Sequence, residues 1–155
     1  MKRMICLLTF AMLFAAASAC VAADDPNMGT WKLNEAKSKY SPGAPKNTSV
    51  VYEAAGDSVK VTVDGVGADG KPTHNEWAGK FDGKDYPLTG DPTADSRSYK
   101  KIDARTMELT NKKDGKPVVM GKIIVSADGK SRTVTTSNTD ASGKKVSATA
   151  VYDKQ

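Results

Sequence analysis

One short motif, returning at close intervals, does most to restrict what this chain can fold into. Asp-Gly-Lys stands at Asp69-Gly70-Lys71, Asp82-Gly83-Lys84, Asp114-Gly115-Lys116 and Asp128-Gly129-Lys130, and Ser142-Gly143-Lys144 repeats it with serine. Glycine accepts the positive φ of a tight hairpin, and aspartate can bond the backbone within the turn. The stretches between these turns alternate with a period of two. Val59, Val61 and Val63 interleave with Lys60 and Thr62, and Thr73, Asn75, Trp77, Gly79 and Phe81 share one face of a segment running to Phe81. Further strands are predicted over 48–53, 97–102, 106–111, 117–126, 132–138 and 146–152, rich in the threonine and valine that suit a pleated surface. No amphipathic helix is read; a short helical turn is expected near Asn34 to Lys39.

Sequential hairpins of this kind make an all-β antiparallel up-and-down meander. With about eight to ten strands in one small domain, closure into a β-barrel removes exposed edges. A two-sheet β-sandwich is the alternative, because periodicity does not encode closure. The stretch Tyr40-Ser41-Pro42-Gly43-Ala44-Pro45-Lys46 cannot continue a strand and is expected at one mouth.

The domain begins after a different kind of sequence. Lys2 and Arg3 precede an apolar run from Ile5 to Phe14 and an alanine-rich end, the pattern of a secretory signal. The run falls short of the roughly 20 residues that a bilayer span requires, and no later stretch approaches that length. Val21-Ala22-Ala23 offers the small residues a signal peptidase reads, so 1–23 is expected to be a signal peptide and 24–155 the exported domain, periplasmic or secreted. Both cysteines, Cys6 and Cys20, would leave with the signal, and no disulfide framework could form. Alternatively, Ala17-Ser18-Ala19-Cys20 resembles a lipoprotein box, which would place a lipid anchor on Cys20; Ala17 stands where that box usually has leucine.

The formal net charge of +5 comes from 23 basic and 18 acidic residues scattered among one another. Without a long basic block, this pattern describes solvated strand faces and turns rather than a nucleic-acid partner. No glycine-rich phosphate loop precedes a helix, no serine elbow appears, and no cofactor motif is present. His74, the single histidine, lies on the face opposite Trp77 and lacks the partners a metal site or a general base needs.

The domain opens Met28-Gly29-Thr30-Trp31-Lys32-Leu33-Asn34 and ends Val151-Tyr152-Asp153-Lys154. Gly-x-Trp on a first strand resembles the opening of the calycins, the lipocalins and fatty-acid-binding proteins, in which the tryptophan plugs one end of a barrel. The order of the last four strands, with Asp114-Gly115-Lys116 and Asp128-Gly129-Lys130 between them, is similar to that of fatty-acid-binding proteins. The opening as far as Tyr40 also resembles a group of small exported bacterial proteins. The resemblance implies a calycin-like barrel able to hold a ligand. It departs at Ala150, where the family's Arg-x-Tyr has arginine; Tyr152 keeps the tyrosine. The lid of two helices typical of those proteins has no room between Trp31 and Val50.

Candidate ligand contacts are therefore Trp31, Trp77 and Phe81 as large apolar anchors, Tyr99 and Tyr152 as polar handles, Ala150 as a small residue leaving space, and Arg132 as a replacement cation if it points inward with Val134. The reading that follows is an exported non-enzymatic binding protein holding a small, partly apolar ligand. It predicts a cavity of several hundred Å³ opening beside Tyr40–Lys46. Two alternatives stand beside it: an envelope interaction module with a filled core acting through its outer surface, and an enzyme on a barrel scaffold.

Overall fold

A computed structural model describes residues 25–139 and 142–155. The expected signal peptide, 1–23, and with it Cys20, the candidate site of a lipid anchor, lie outside the described residues. Among the described residues eleven strands form in chain order: β1 Gly29–Leu33, β2 Lys39–Tyr40, β3 Lys46–Ala55, β4 Ser58–Val66, β5 Pro72–Gly79, β6 Tyr86–Thr89, β7 Ser96–Lys101, β8 Thr106–Lys113, β9 Lys116–Val125, β10 Ser131–Thr139 and β11 Lys145–Lys154. A single 3-10 turn, Glu35–Lys37, falls where the sequence places it, with the Asn34 side chain accepting from the Lys37 amide.

Each strand from β3 onward pairs antiparallel with the next, and β1 pairs with both β3 and β11. Ten strands, β1 and β3–β11, thus close into an up-and-down barrel, and the sandwich alternative falls. The short β2 extends the wall, pairing Tyr40 with Ala148 and Lys39 with Thr149. Closure satisfies the backbone groups that an edge strand would leave bare.

We call the end that carries Asp25–Met28 and the β3–β4, β7–β8 and β9–β10 turns the lower end. The upper end carries the 34–45 segment and the β4–β5, β6–β7, β8–β9 and β10–β11 connections. Asp69, Asp82 and Asp128 each accept a hydrogen bond from the amide of the lysine two residues on, which is why the Asp-Gly-Lys motif recurs. At the β8–β9 turn Asp114 and Gly115 both have positive φ, 50° and 74°, the two-residue hairpin conformation that matches strand twist.

Five of the predicted strands, β3, β4, β8, β10 and β11, run two to four residues longer than their alternation suggests, β7 and β9 keep the predicted length one residue earlier, and β2 and β6 are additions. Strand β6 is four residues long and contains Pro87, so it carries too little alternation to be seen. Phe81 was expected to end a strand; β5 stops at Gly79 and Phe81 lies beyond it, half-buried. Gly79 itself is a contact surface: a Cβ there would come within 2.5 Å of the Tyr86 ring.

His74 is exposed on the outer face as expected, but it has partners. The β4–β5 register sets Asp64 opposite it, with Nδ1 2.7 Å from Oδ1, and Glu76 lies 3.9 Å from Nε2. Among the described residues no group of three acidic, histidine or cysteine side chains is placed to hold a metal ion, and no helix is long and apolar enough to cross a membrane.

Candidate functional site: the barrel interior

Alternation turns Trp31, Val50, Tyr52, Val61, Trp77, Tyr99, Met107, Ile123, Arg132 and Tyr152 inward, and each is buried. The interior is not uniform along its length. In the lower half, Trp31, Trp77, Met107, Ile123 and Val125 are essentially sealed from solvent. Towards the upper end of β8–β11, the inward positions Leu109, Gly121, Val134, Thr136, Val146 and Ala148 are only half-buried, while outward neighbours such as Met120, Thr135 and Ser147 are exposed. The barrel is plugged below and looser above.

Trp31 forms the plug. Its Nε1 donates to the Asn27 carbonyl at 2.8 Å, and Asn27 is fully buried. Residues Asp25–Met28 are strapped across the lower end: Lys154 Nζ donates to the Pro26 carbonyl, and Lys101 Nζ lies 2.7 Å from Asp25 Oδ2. Burial would raise the Asp25 pKa, but hydrogen bonds from Lys101 and Asn27 outweigh it and hold the carboxyl below the ordinary range.

Six of the seven residues singled out from the sequence fall into two groups. Trp31, Arg132 and Tyr152 meet on the β1–β11–β10 side, and Arg132 stands opposite Tyr152 in register. Trp77, Phe81 and Tyr99 form an aromatic cluster on the other side: Tyr99 meets Trp77 edge to face at 4.9 Å and Phe81 at 5.8 Å. Trp77 Nε1 donates to the Arg97 carbonyl at 2.8 Å. Tyr52, which the sequence reading passed over, joins the groups, 6.0 Å from Tyr99 and 6.3 Å from Phe81 between ring centroids. Its parity with Val50 was the available signal. Ala150 is buried directly opposite Val134, one inward step above Arg132.

Arg132 is 2% exposed. Its guanidinium carbon lies 4.7 Å from the Trp31 ring, 4.9 Å from Tyr52 and 5.0 Å from Tyr152. These faces offset part of the cost of burying the charge. They accept no in-plane hydrogen bond, and Nε and Nη1 are buried without a partner. The Tyr40 hydroxyl and Asn75 Oδ1 are likewise buried without hydrogen bonds. A second guanidinium, Arg97, is 5% exposed, donates from Nε to Asn111 Oδ1 at 2.8 Å and lies 5.9 Å from the Tyr99 ring. It alternates with Tyr99 in the sequence, and that parity was the signal missed. Burial pushes both the Tyr99 and the Tyr152 hydroxyl well above the ordinary phenol pKa, so both are neutral, and the Tyr152 hydroxyl donates to the Asn47 carbonyl.

Two depressions lie at the rims. One of about 260 Å³ at the lower end is floored by Met28, Val59 and Phe81 and flanked by Lys80 and Lys101. The other, about 230 Å³, lies beside Tyr40 and Ser41 against Ser147–Thr149, at the upper end where the sequence predicted an opening. It is a shallow groove, and Arg132 lines neither depression. A molecule reaching Arg132 must part the half-buried side chains above it.

No protein-family model matches the sequence, and no curated protein is similar to it. Among solved structures, the chain is similar to EF1p2_mFAP2b bound to DFHBI, with a TM-score of 0.47 and 12% identity over 84% of this chain and 94% of that one. At that distance the similarity assigns no residue and no ligand; the barrel stands on its own strand pairings.

Proposed function

We propose that this protein is an exported, non-enzymatic binding barrel that takes one small, partly apolar molecule through its upper end. The observation that carries the reading is Arg132. A guanidinium stays charged at any physiological pH, and each buried donor left unpartnered costs about 1–3 kcal/mol. A hydrogen-bond acceptor on a ligand would meet both needs. The way in is the small-residue wall above it, with Val134 and Ala150 one step up and Thr136 and Ala148 the next. Apolar parts of the ligand would lie along that wall. Export rests on the pattern from Lys2 to Ala23.

The test is titration with N-phenyl-1-naphthylamine, a neutral apolar dye that brightens when it leaves water. Saturable binding is expected. Ala148→Phe, at a half-buried position, should weaken it at least tenfold without lowering the melting temperature. Absence of saturable binding, or indifference to Ala148→Phe, overturns the reading.

A second reading has its own observation. Met120 and Ile124, on the outer face of β9, are 59% and 47% exposed. An interaction module acting through that face would show no dye binding, and charge placed at these two positions would abolish capture of its partner.

A further inference from the structure

The barrel interior holds two guanidinium groups, Arg97 and Arg132, and among the described residues neither has a carboxylate within ion-pair distance. Among the described residues the ion pairs of the surface use lysine or histidine instead, as in Lys80–Asp57 and Lys112–Asp85. Buried charges are ordinarily paired, because water no longer solvates them. One lone cation caged by aromatic rings could be a packing device. Two in one interior, joined through the edge-to-face contact of Tyr52 with Tyr99, leave a net positive core. Contacts of 5.9 Å, 6.0 Å and 4.9 Å run from Arg97 through Tyr99 and Tyr52 to Arg132, and this row of rings sets the span that one molecule would have to cross.

The groups also differ in what they need. Arg97 has given its Nε to Asn111, whereas Arg132 offers Nε and Nη1, which leave the guanidinium from different edges and cannot share a single oxygen. A molecule with one acceptor leaves at least one of these donors, and one of the charges, unanswered.

We infer that the ligand is a dianion, an apolar body with two anionic groups, one directed to Arg132 and the other to Arg97. The inference rests on the binding reading above and deepens it. It opposes what an apolar interior would select, since a second carboxylate makes a molecule harder to desolvate.

That opposition makes the test one of sign. Calorimetric titrations of the purified protein would compare α,ω-dicarboxylates, from succinate to dodecanedioate, with monocarboxylates and alcohols of equal carbon number. At the best length the diacid should bind about tenfold or more tighter than its monoacid. In Arg97→Gln that preference should collapse. If Arg97→Gln does not fold, the wild-type order alone decides. Monoacids binding as well as or better than diacids would overturn the dianion and leave the binding barrel standing. If alcohols, monoacids and diacids all fail to bind, the binding reading falls and the dianion with it.

Discussion

At the scale of single residues, the lower plug depends on groups that satisfy one another. Asp25 receives the Asn27 amide and side chain and the Lys101 ammonium, and its own backbone carbonyl accepts from Met28. Its carboxyl is held below the ordinary range in the folded state, so its stabilising contribution is present above the unfolded pKa and is lost as the pH falls through the folded one. Asp25→Asn should therefore be less stable than the parent at neutral pH. The gap should narrow as the pH drops below the ordinary carboxylate range, and close beneath the folded pKa. Urea midpoints measured at about pH 7 and about pH 2.5 check this. An equal gap at both pH values would mean that Asp25 acts through shape and not charge.

The elements show what was legible in the sequence and what was not. Hairpin positions were, because Asp-Gly-Lys carries its own geometry: Asp128 accepts from the Lys130 amide and from Ser126 Oγ, and the turn forms from adjacent residues. Asp128→Ala should cost about 0.5–1.5 kcal/mol, read as a lower urea midpoint with an unchanged slope. Inward and outward faces were equally legible, since parity alone sets Arg132 with Val134. What alternation could not encode was neighbourhood across the barrel. The ring of Tyr52 over Arg132 joins β3 to β10, strands with no pairing between them. For the same reason Asp64 beside His74 went unseen, being set by strand register, whereas Glu76 shares the outer face of β5 with His74 by spacing alone. Strand β6 was missed because Pro87 and its short length leave no period to detect.

For the molecule as a whole, stability must come from the barrel itself. The only cysteines are Cys6 and Cys20, so residues 25–155 contain none. The core is a continuous cluster from Trp31 to Tyr152, and closure adds pairing along the β1–β11 seam. A domain spanning residues 24–155 should melt at the same temperature with and without a thiol reductant. A shift of more than a degree or two would point to a covalent support that the fold does not call for.

The seam has one more consequence. Trp31 lies between Val50 on one side and Lys154 on the other, so the chain's first strand is flanked by a neighbour close in sequence and by the very last strand. Until β11 exists, β1 keeps a bare edge, Arg132 lacks the ring of Tyr152, and the lower plug lacks the lysine that holds Pro26. Such distant contacts are slow to form, and they reward the chain only after a large loop has closed. During synthesis, then, the hairpins can pair with their neighbours as they appear, but the seam waits for the last strand, and closure of the barrel is a late event.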